Sequence, residues 1–125
     1  MNVPANLLYT KDHEWIKIEG GEALVGITDY AQSELGEIVF VELPAVGDSV
    51  VVEKTFGTVE AVKAVSDLFM PVSGEILGVN PLLEDKPELI NEEPYGEGWM
   101  IRIKVLNPAE TDGLLSPEAY TQQIQ

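Results

Sequence analysis

Gly57-Thr-Val-Glu-Ala-Val-Lys63-Ala-Val-Ser-Asp67-Leu68 is the stretch on which the fold turns. Its Ala, Glu, Val and Lys suit a helix, and Val59, Val62 and Val65 recur at about one helical turn. They equally suit a β-hairpin with Lys63 at the turn. Periodicity alone leaves the two readings near even. The segments on both sides carry β signals, which favours the hairpin.

Upstream, Trp15–Ile18 and Ala23–Ile27 are short apolar runs separated by Glu19-Gly-Gly-Glu22, the pattern of a hairpin with a Gly-Gly turn. Asp29–Leu35 reads as a short helix, with Thr28 or Asp29 as N-cap and Gly36 as its stop. Ile38–Leu43 is a strand ending at Pro44, and Ser49–Glu53 continues the β pattern. Downstream, Leu68–Met70 and Glu75–Val79 flank a Pro71–Gly74 turn. Asn80-Pro81 opens a helical turn that Pro87 limits. Trp99–Val105 alternates as a strand with one wet face, and Ser116-Pro-Glu starts a C-terminal helix near 116–123. Strands this short and numerous predict a mainly β sandwich or barrel with peripheral helices, one domain over residues 1–125. A weak echo also appears: Leu43-Pro44-x-x-Gly47-Asp48 and Met70-Pro71-x-x-Gly74-Glu75 share one pattern, with Lys63 between them. Two related halves would place that lysine at their join.

Charge limits the partners. Twenty-two acidic against seven basic residues give a net charge of −15. Such a chain repels nucleic acid and anionic membrane surfaces, whose binding rests on Lys and Arg. It favours brief encounters with basic protein surfaces. No apolar run reaches the length of a membrane span, and Met1–Thr10 lacks the layout of a signal peptide. The expected location is cytoplasmic, or the mitochondrial matrix for a processed eukaryotic chain. Without cysteine there is no disulfide, thiolate metal site or cysteine nucleophile.

The candidates for chemistry are few. His13, the only histidine, lies between Asp12 and Glu14 and has the residue types of a general base or a metal ligand. One histidine without cysteine argues against a zinc site, and neighbours on a strand point to opposite faces. No nucleophile elbow, phosphate-binding glycine loop or calcium-loop spacing is present. No metal site is expected. Lys63 stands among two alanines and two valines that offer its ammonium no partner. With an ordinary pKa of about 10.4 it is a poor nucleophile by itself. Acylation by another enzyme asks only for an amine on a firm tip with small neighbours. On spacing alone, a solvated surface lysine is the simpler reading.

The residues themselves decide further. Val59-Glu60-Ala-Val62-Lys63-Ala64-x-Ser66-Asp67 resembles the lipoylation motif of the H-protein family of the glycine cleavage system. The resemblance continues in order through His13-Glu14-Trp15, Gly26-Ile-Thr28-x-x-Ala31-Gln32, Leu35-Gly-Glu-x-Val39-Phe-Val-x-Leu43-Pro44, Pro71-Val-Ser-Gly74-Glu75, Asn91-x-x-Pro94-Tyr95 and Gly98-Trp99. It covers nearly the whole chain. A biotin carrier would show methionines beside the lysine, where Val62 and Ala64 stand.

The resemblance implies a lipoyl-domain-like β sandwich, or barrel-sandwich hybrid, with Lys63 at a hairpin turn. It implies lipoate joined by an amide to Lys63, and a carrier that is not itself a catalyst. The implied partners are a pyridoxal-phosphate glycine decarboxylase, a tetrahydrofolate-dependent aminomethyltransferase, a dihydrolipoamide dehydrogenase and a lipoyl-attaching enzyme. A monomer is expected. The loaded arm would fold into a cleft on the carrier's surface, with Glu14 and Asp67 as candidate counter-charges to its protonated amine. As exposed ion pairs they would give about 0.2–1 kcal/mol each. A lipoyl relay serving other complexes keeps the same fold and the same lysine. A hydrolase built on Asp12-His13-Glu14 is the reading from a different class.

Overall fold

Gly20 and Gly21 turn the chain between two adjacent strands, and the computed structural model, which describes all 125 residues, shows why the turn must be so tight. A two-residue strand β1 (Leu8–Tyr9) precedes β2 (Glu14–Glu19) and β3 (Glu22–Ile27). β2 and β3 pair antiparallel from Glu14↔Ile27 to Glu19↔Glu22, which leaves only the two glycines between them. Gly20 takes φ 66°, the left-handed region that a two-residue hairpin turn demands.

Helix α1 (Asp29–Leu35) follows at once. The Thr28 hydroxyl caps it by accepting from the Ala31 N–H at 3.2 Å, and Gly36 ends it with its N–H on the Gln32 carbonyl. The chain then runs through β4 (Ile38–Glu42), β5 (Ser49–Val50), β6 (Thr55–Ala61), β7 (Val65–Phe69) and β8 (Gly74–Val79). Short helices α2 (Leu82–Asp85) and α3 (Leu89–Glu92) lead to β9 (Ile101–Val105). A 3-10 segment (Pro108–Gly113) and helix α4 (Pro117–Gln123), capped by Ser116, complete the order. No helix is long and apolar enough to cross a membrane.

The strands form a six-stranded sheet, β1-β2-β3-β9-β8-β5, and a three-stranded sheet, β4-β6-β7. One core of 17 buried residues joins them, with Val25, Ile76 and Ile103 from the larger sheet meeting Ile38, Val59 and Leu68 from the smaller. This is the mainly β, lipoyl-domain-like sandwich that the sequence predicts. The echo also acquires a location. Gly47 donates its N–H to the Ile76 carbonyl at 2.8 Å, and Ile76 donates to the Asp48 carbonyl at 2.8 Å. The two similar segments therefore lie side by side, and the β6–β7 hairpin spans the interval between them.

A second apolar cluster packs Leu7, Tyr9, Trp15 and Tyr120 under the C-terminal helix. Tyr9 and Tyr120 stack with ring centroids 4.7 Å apart. Trp15 lies opposite Gly26 and donates its indole N–H to the Pro94 carbonyl at 2.8 Å. A Cβ on Gly26 would stand 2.7 Å from the indole nitrogen. Gly26→Ala should therefore displace Trp15 and cost about 1–3 kcal/mol, read as a lowered urea midpoint with an unchanged slope.

Two expectations are corrected, and a third gains a second role. The β pattern over 49–53 pairs only at Ser49 and Val50, because the chain turns over Val51–Lys54 and Glu53 takes φ 69°. Asn80 caps the turn that Pro81 opens, as expected, and also anchors the loop beyond it. It is buried and ties the loop down, its Nδ2 donating to the Glu97 and Trp99 carbonyls while its Oδ1 accepts from the Leu82 N–H. His13 is not on a strand: it takes φ 69° just before β2.

Candidate functional site

Lys63 stands at the tip of the β6–β7 hairpin. Glu60 pairs with Val65, and Ala61 closes the turn by donating its N–H to the Ala64 carbonyl at 2.7 Å. Only Val62 and Lys63 lie between those closing residues. The tip is backed from the other side, where the Val62 N–H reaches the Glu37 carbonyl at 3.1 Å and Ile38 pairs with Ala61. Every side chain from Val62 to Val65 is exposed, and Lys63 takes part in none of the ion pairs of the fold. The amine thus projects from a rigid base with small neighbours and nothing to hold it back.

A cleft of about 350 Å³ lies below, between β2, α1 and the β6–β7 pair. Ile27, Leu35, Val59 and Leu68 give it apolar wall, and Glu14 and Asp67 both line it. The two carboxyls differ sharply. Asp67 is exposed at the rim, opposite Thr58 in the ladder. Glu14 is only 2 % exposed, so its expected place as a surface carboxylate is wrong. Neighbours hold it firmly: the Thr10 hydroxyl donates to Oε1 at 2.7 Å and the Phe69 N–H to Oε2 at 3.3 Å. Burial pushes the Glu14 carboxyl up to about 8, further than those two donors can pull it down, and the nearby Asp12 charge adds to the rise. At neutral pH the Glu14 carboxyl is therefore mostly protonated.

His13 joins the same cleft because its left-handed backbone turns it off the strand. Its Nδ1 lies 2.9 Å from the Tyr120 hydroxyl, which lies 2.6 Å from the Thr28 hydroxyl. Thr28 in turn accepts from Ala31, so a hydrogen-bond chain links His13 to the start of α1. Burial lowers the His13 pKa, partly offset by the charges of Asp12 and Glu34, which keeps the ring neutral at pH 7. Tyr120 is pushed up to about 12 by burial and stays a phenol. The arrangement locks the C-terminal helix against the cleft wall. Sequence reading missed Thr10, Thr28 and Tyr120 here; the cap position of Thr28 was its only local signal.

A sandwich of two sheets, an exposed lysine on a two-residue hairpin tip and an apolar cleft with a buried acid define a carrier scaffold of the lipoyl-domain type. A family model described as glycine cleavage H-protein matches residues 7–125. The chain is 54% identical over 125 residues to a glycine cleavage system H protein of Halothermothrix orenii, covering 100% of this chain and 98% of that one. It is 55% identical over 120 residues to one of Bacteroides fragilis, covering 96% and 95%. The crystal structure of a glycine cleavage system H protein from Mycobacterium marinum superposes with a TM-score of 0.89 at 42% identity, over 97% of this chain and 98% of that one. The chain belongs to the glycine cleavage H-protein family. It is the lipoyl carrier of that system and not itself a catalyst.

Proposed function

We propose that lipoate is joined by an amide to the Nζ of Lys63, and that the arm is loaded, emptied and reoxidised by three enzymes in turn. The observation that carries this reading is the exposed, braced two-residue tip with its amine unpaired. The three enzymes are glycine decarboxylase with pyridoxal phosphate, the tetrahydrofolate-dependent aminomethyltransferase and dihydrolipoamide dehydrogenase. A fourth enzyme attaches the lipoyl group. The carrier works as a monomer in the cytoplasm.

Once attached, lipoate would supply a disulfide able to take up the aminomethyl group and, as the dithiol left after that group departs, two electrons for the dehydrogenase. The remaining work falls to this chain. Lys63 supplies the anchor, and the hairpin holds it clear of the sheet so that a partner's active site can enclose it. Tethering keeps the reactive end at high effective concentration near each docked enzyme. The apolar wall of Ile27, Leu35, Val59 and Leu68 fits an aliphatic arm and sheds water. Glu14 fits an ammonium: as the cation arrives, the acid would release its proton to solvent and pair with it as the carboxylate. Asp67 at the rim adds a screened attraction. Asp67→Asn should shorten the lifetime of the loaded form by at most about fivefold, as expected for an exposed pair. Quenched-flow release of formaldehyde from the loaded form checks that figure.

The whole reading is tested by reconstitution. The lipoylated carrier, the three enzymes, glycine, tetrahydrofolate and NAD should give NADH formation that depends on the carrier. No NADH above the carrier-free rate would defeat it.

A further inference from the structure

β7 is an outer strand of the three-stranded sheet, and its free edge borders the cleft, where Ser66, Asp67 and Leu68 line the wall. The ladder with β6 shows which backbone groups that edge leaves open. Ala61 bonds Ala64, so the alternate positions Ser66, opposite Val59, and Leu68, opposite Gly57, face β6 as well. Val65 and Asp67, opposite Glu60 and Thr58, then turn their N–H and C=O away from β6. Phe69 shows the same direction, for its N–H leaves the sheet and meets Glu14 Oε2 at 3.3 Å. The Asp67 carbonyl meets the Ser66 hydroxyl at 3.3 Å. No N–H from a turn or loop reaches the Val65 carbonyl. Free edges are normally blunted by lysine, proline or a covering element. β7 carries neither residue type.

A lipoyl-lysine brings a polar group to this edge. The arm is aliphatic except for its amide, and an amide buried without a partner costs about 1–3 kcal/mol. The apolar wall of Ile27, Leu35, Val59 and Leu68 offers no side-chain partner. We propose that in the loaded carrier the amide N–H on Lys63 Nζ donates to the Val65 backbone carbonyl, so that the free edge of β7 sets the course of the arm. The inference rests on the carrier reading above. A trans amide points its N–H and C=O in opposite directions, so one bond to this edge is all it can make.

The lengths agree at both ends. An extended lysine side chain carries its Nζ about 6 Å from its Cα. Val65, two residues past Lys63, lies about 7 Å along at strand spacing. The whole aminomethylated arm, extended, reaches about 18 Å from the Lys63 Cα to its amine. Phe69, whose N–H meets Glu14, is six residues past Lys63, about 20 Å at the same spacing. An arm laid along β7 with its amide at Val65 therefore delivers its ammonium to Glu14. The bond at Val65 and the pair at Glu14 hold the two ends of the aliphatic part, and the apolar wall covers what lies between.

The test is NMR of the lipoylated carrier labelled with nitrogen-15 and carbon-13, first oxidised and then loaded by glycine decarboxylase and glycine. An acylated Nζ carries one amide proton and gives a signal that a free lysine ammonium does not. On loading, exchange of that proton with solvent should slow tenfold or more. The Val65 carbonyl carbon should move downfield at the same time, with a coupling to Nζ across the hydrogen bond. Equal exchange in the two forms, or a coupling to a different carbonyl, would overturn the proposal while leaving the carrier reading intact. Slowed exchange with the Val65 carbonyl unmoved would mean cover without this bond, and would overturn it too. No Nζ amide signal, or no loading by the decarboxylase, would overturn the proposal and the carrier reading together.

Discussion

Lys63→Arg should yield a carrier that folds as before and supports no turnover. The side chain is exposed, makes no ion pair and caps nothing, so the exchange removes no contact that the fold uses. Stability should change by no more than about 0.5 kcal/mol, the usual range for such surface positions. Arginine keeps the charge and the reach, but its guanidinium stays protonated and cannot take the place of the acylated amine. The reconstituted rate should therefore fall to the carrier-free background, with the thermal midpoint unchanged. Residual turnover above that background would mean that the arm is attached elsewhere, on one of the other basic side chains.

Glu14→Gln should separate stability from function and move them in opposite directions. The carboxyl has an ordinary value of 4.5 and is raised by burial to about 8 in the fold. A pKa raised on folding gives stability that is whole below the unfolded value and is lost as pH climbs toward the folded one. Between pH 4.5 and 8 the native state thus forfeits about 1.4 kcal/mol per unit of pH, since the unfolded chain ionises while the buried acid does not. Glutamine has no charge to gain. It keeps an oxygen for Thr10 and loses the acceptor facing Phe69, at a cost of about 1 kcal/mol. The variant should be more stable than the parent by about 2–4 kcal/mol at pH 8, and equal or slightly less stable at pH 4.5. Thermal melts at those two pH values read the difference. The loaded form should meanwhile decay about ten to a hundred times faster, because a hydrogen bond to a charged group in a buried site is worth about 1.5–3 kcal/mol. A variant less stable at both pH values would show that Glu14 is held as a structural acceptor and not as a destabilising acid kept for the arm.

That conflict between burial and ionisation explains why part of the site was invisible in the sequence. Glu14 looks like a surface carboxylate because it begins a strand beside two other titratable residues. It is buried by Thr10, by the Phe69 backbone and by the wall of the cleft, and its contact with Phe69 spans 55 residues. The same holds for His13, whose bond to Tyr120 crosses 107 residues. Local pattern carries no trace of such contacts.

Where local chemistry governs, the reading succeeds. The Gly-Gly turn, the Thr28 cap and the Gly36 stop all appear where their residues stand. The β6–β7 hairpin is the instructive middle case. Val59, Val62 and Val65 share a helical spacing but not a face: Val59 is fully buried, and Val62 and Val65 are 66% and 65% exposed. The spacing arises because a two-residue turn interrupts the alternation of two strands. Phe56 is buried before the register shift near Gly57, and beyond that shift the inward residues of β6 are Val59 and Ala61, as strand period requires. The two-residue β1 and four-residue α3 were missed because they are too short for any period to show.

The central claim is that Lys63 bears the arm. Its most direct test is intact and peptide mass spectrometry of the protein isolated from its native cells. The account predicts a lipoyl-sized addition mapped to the peptide containing Lys63, and absent from the Lys63→Arg variant. An unmodified Lys63, in cells where other proteins carry lipoate, would contradict it.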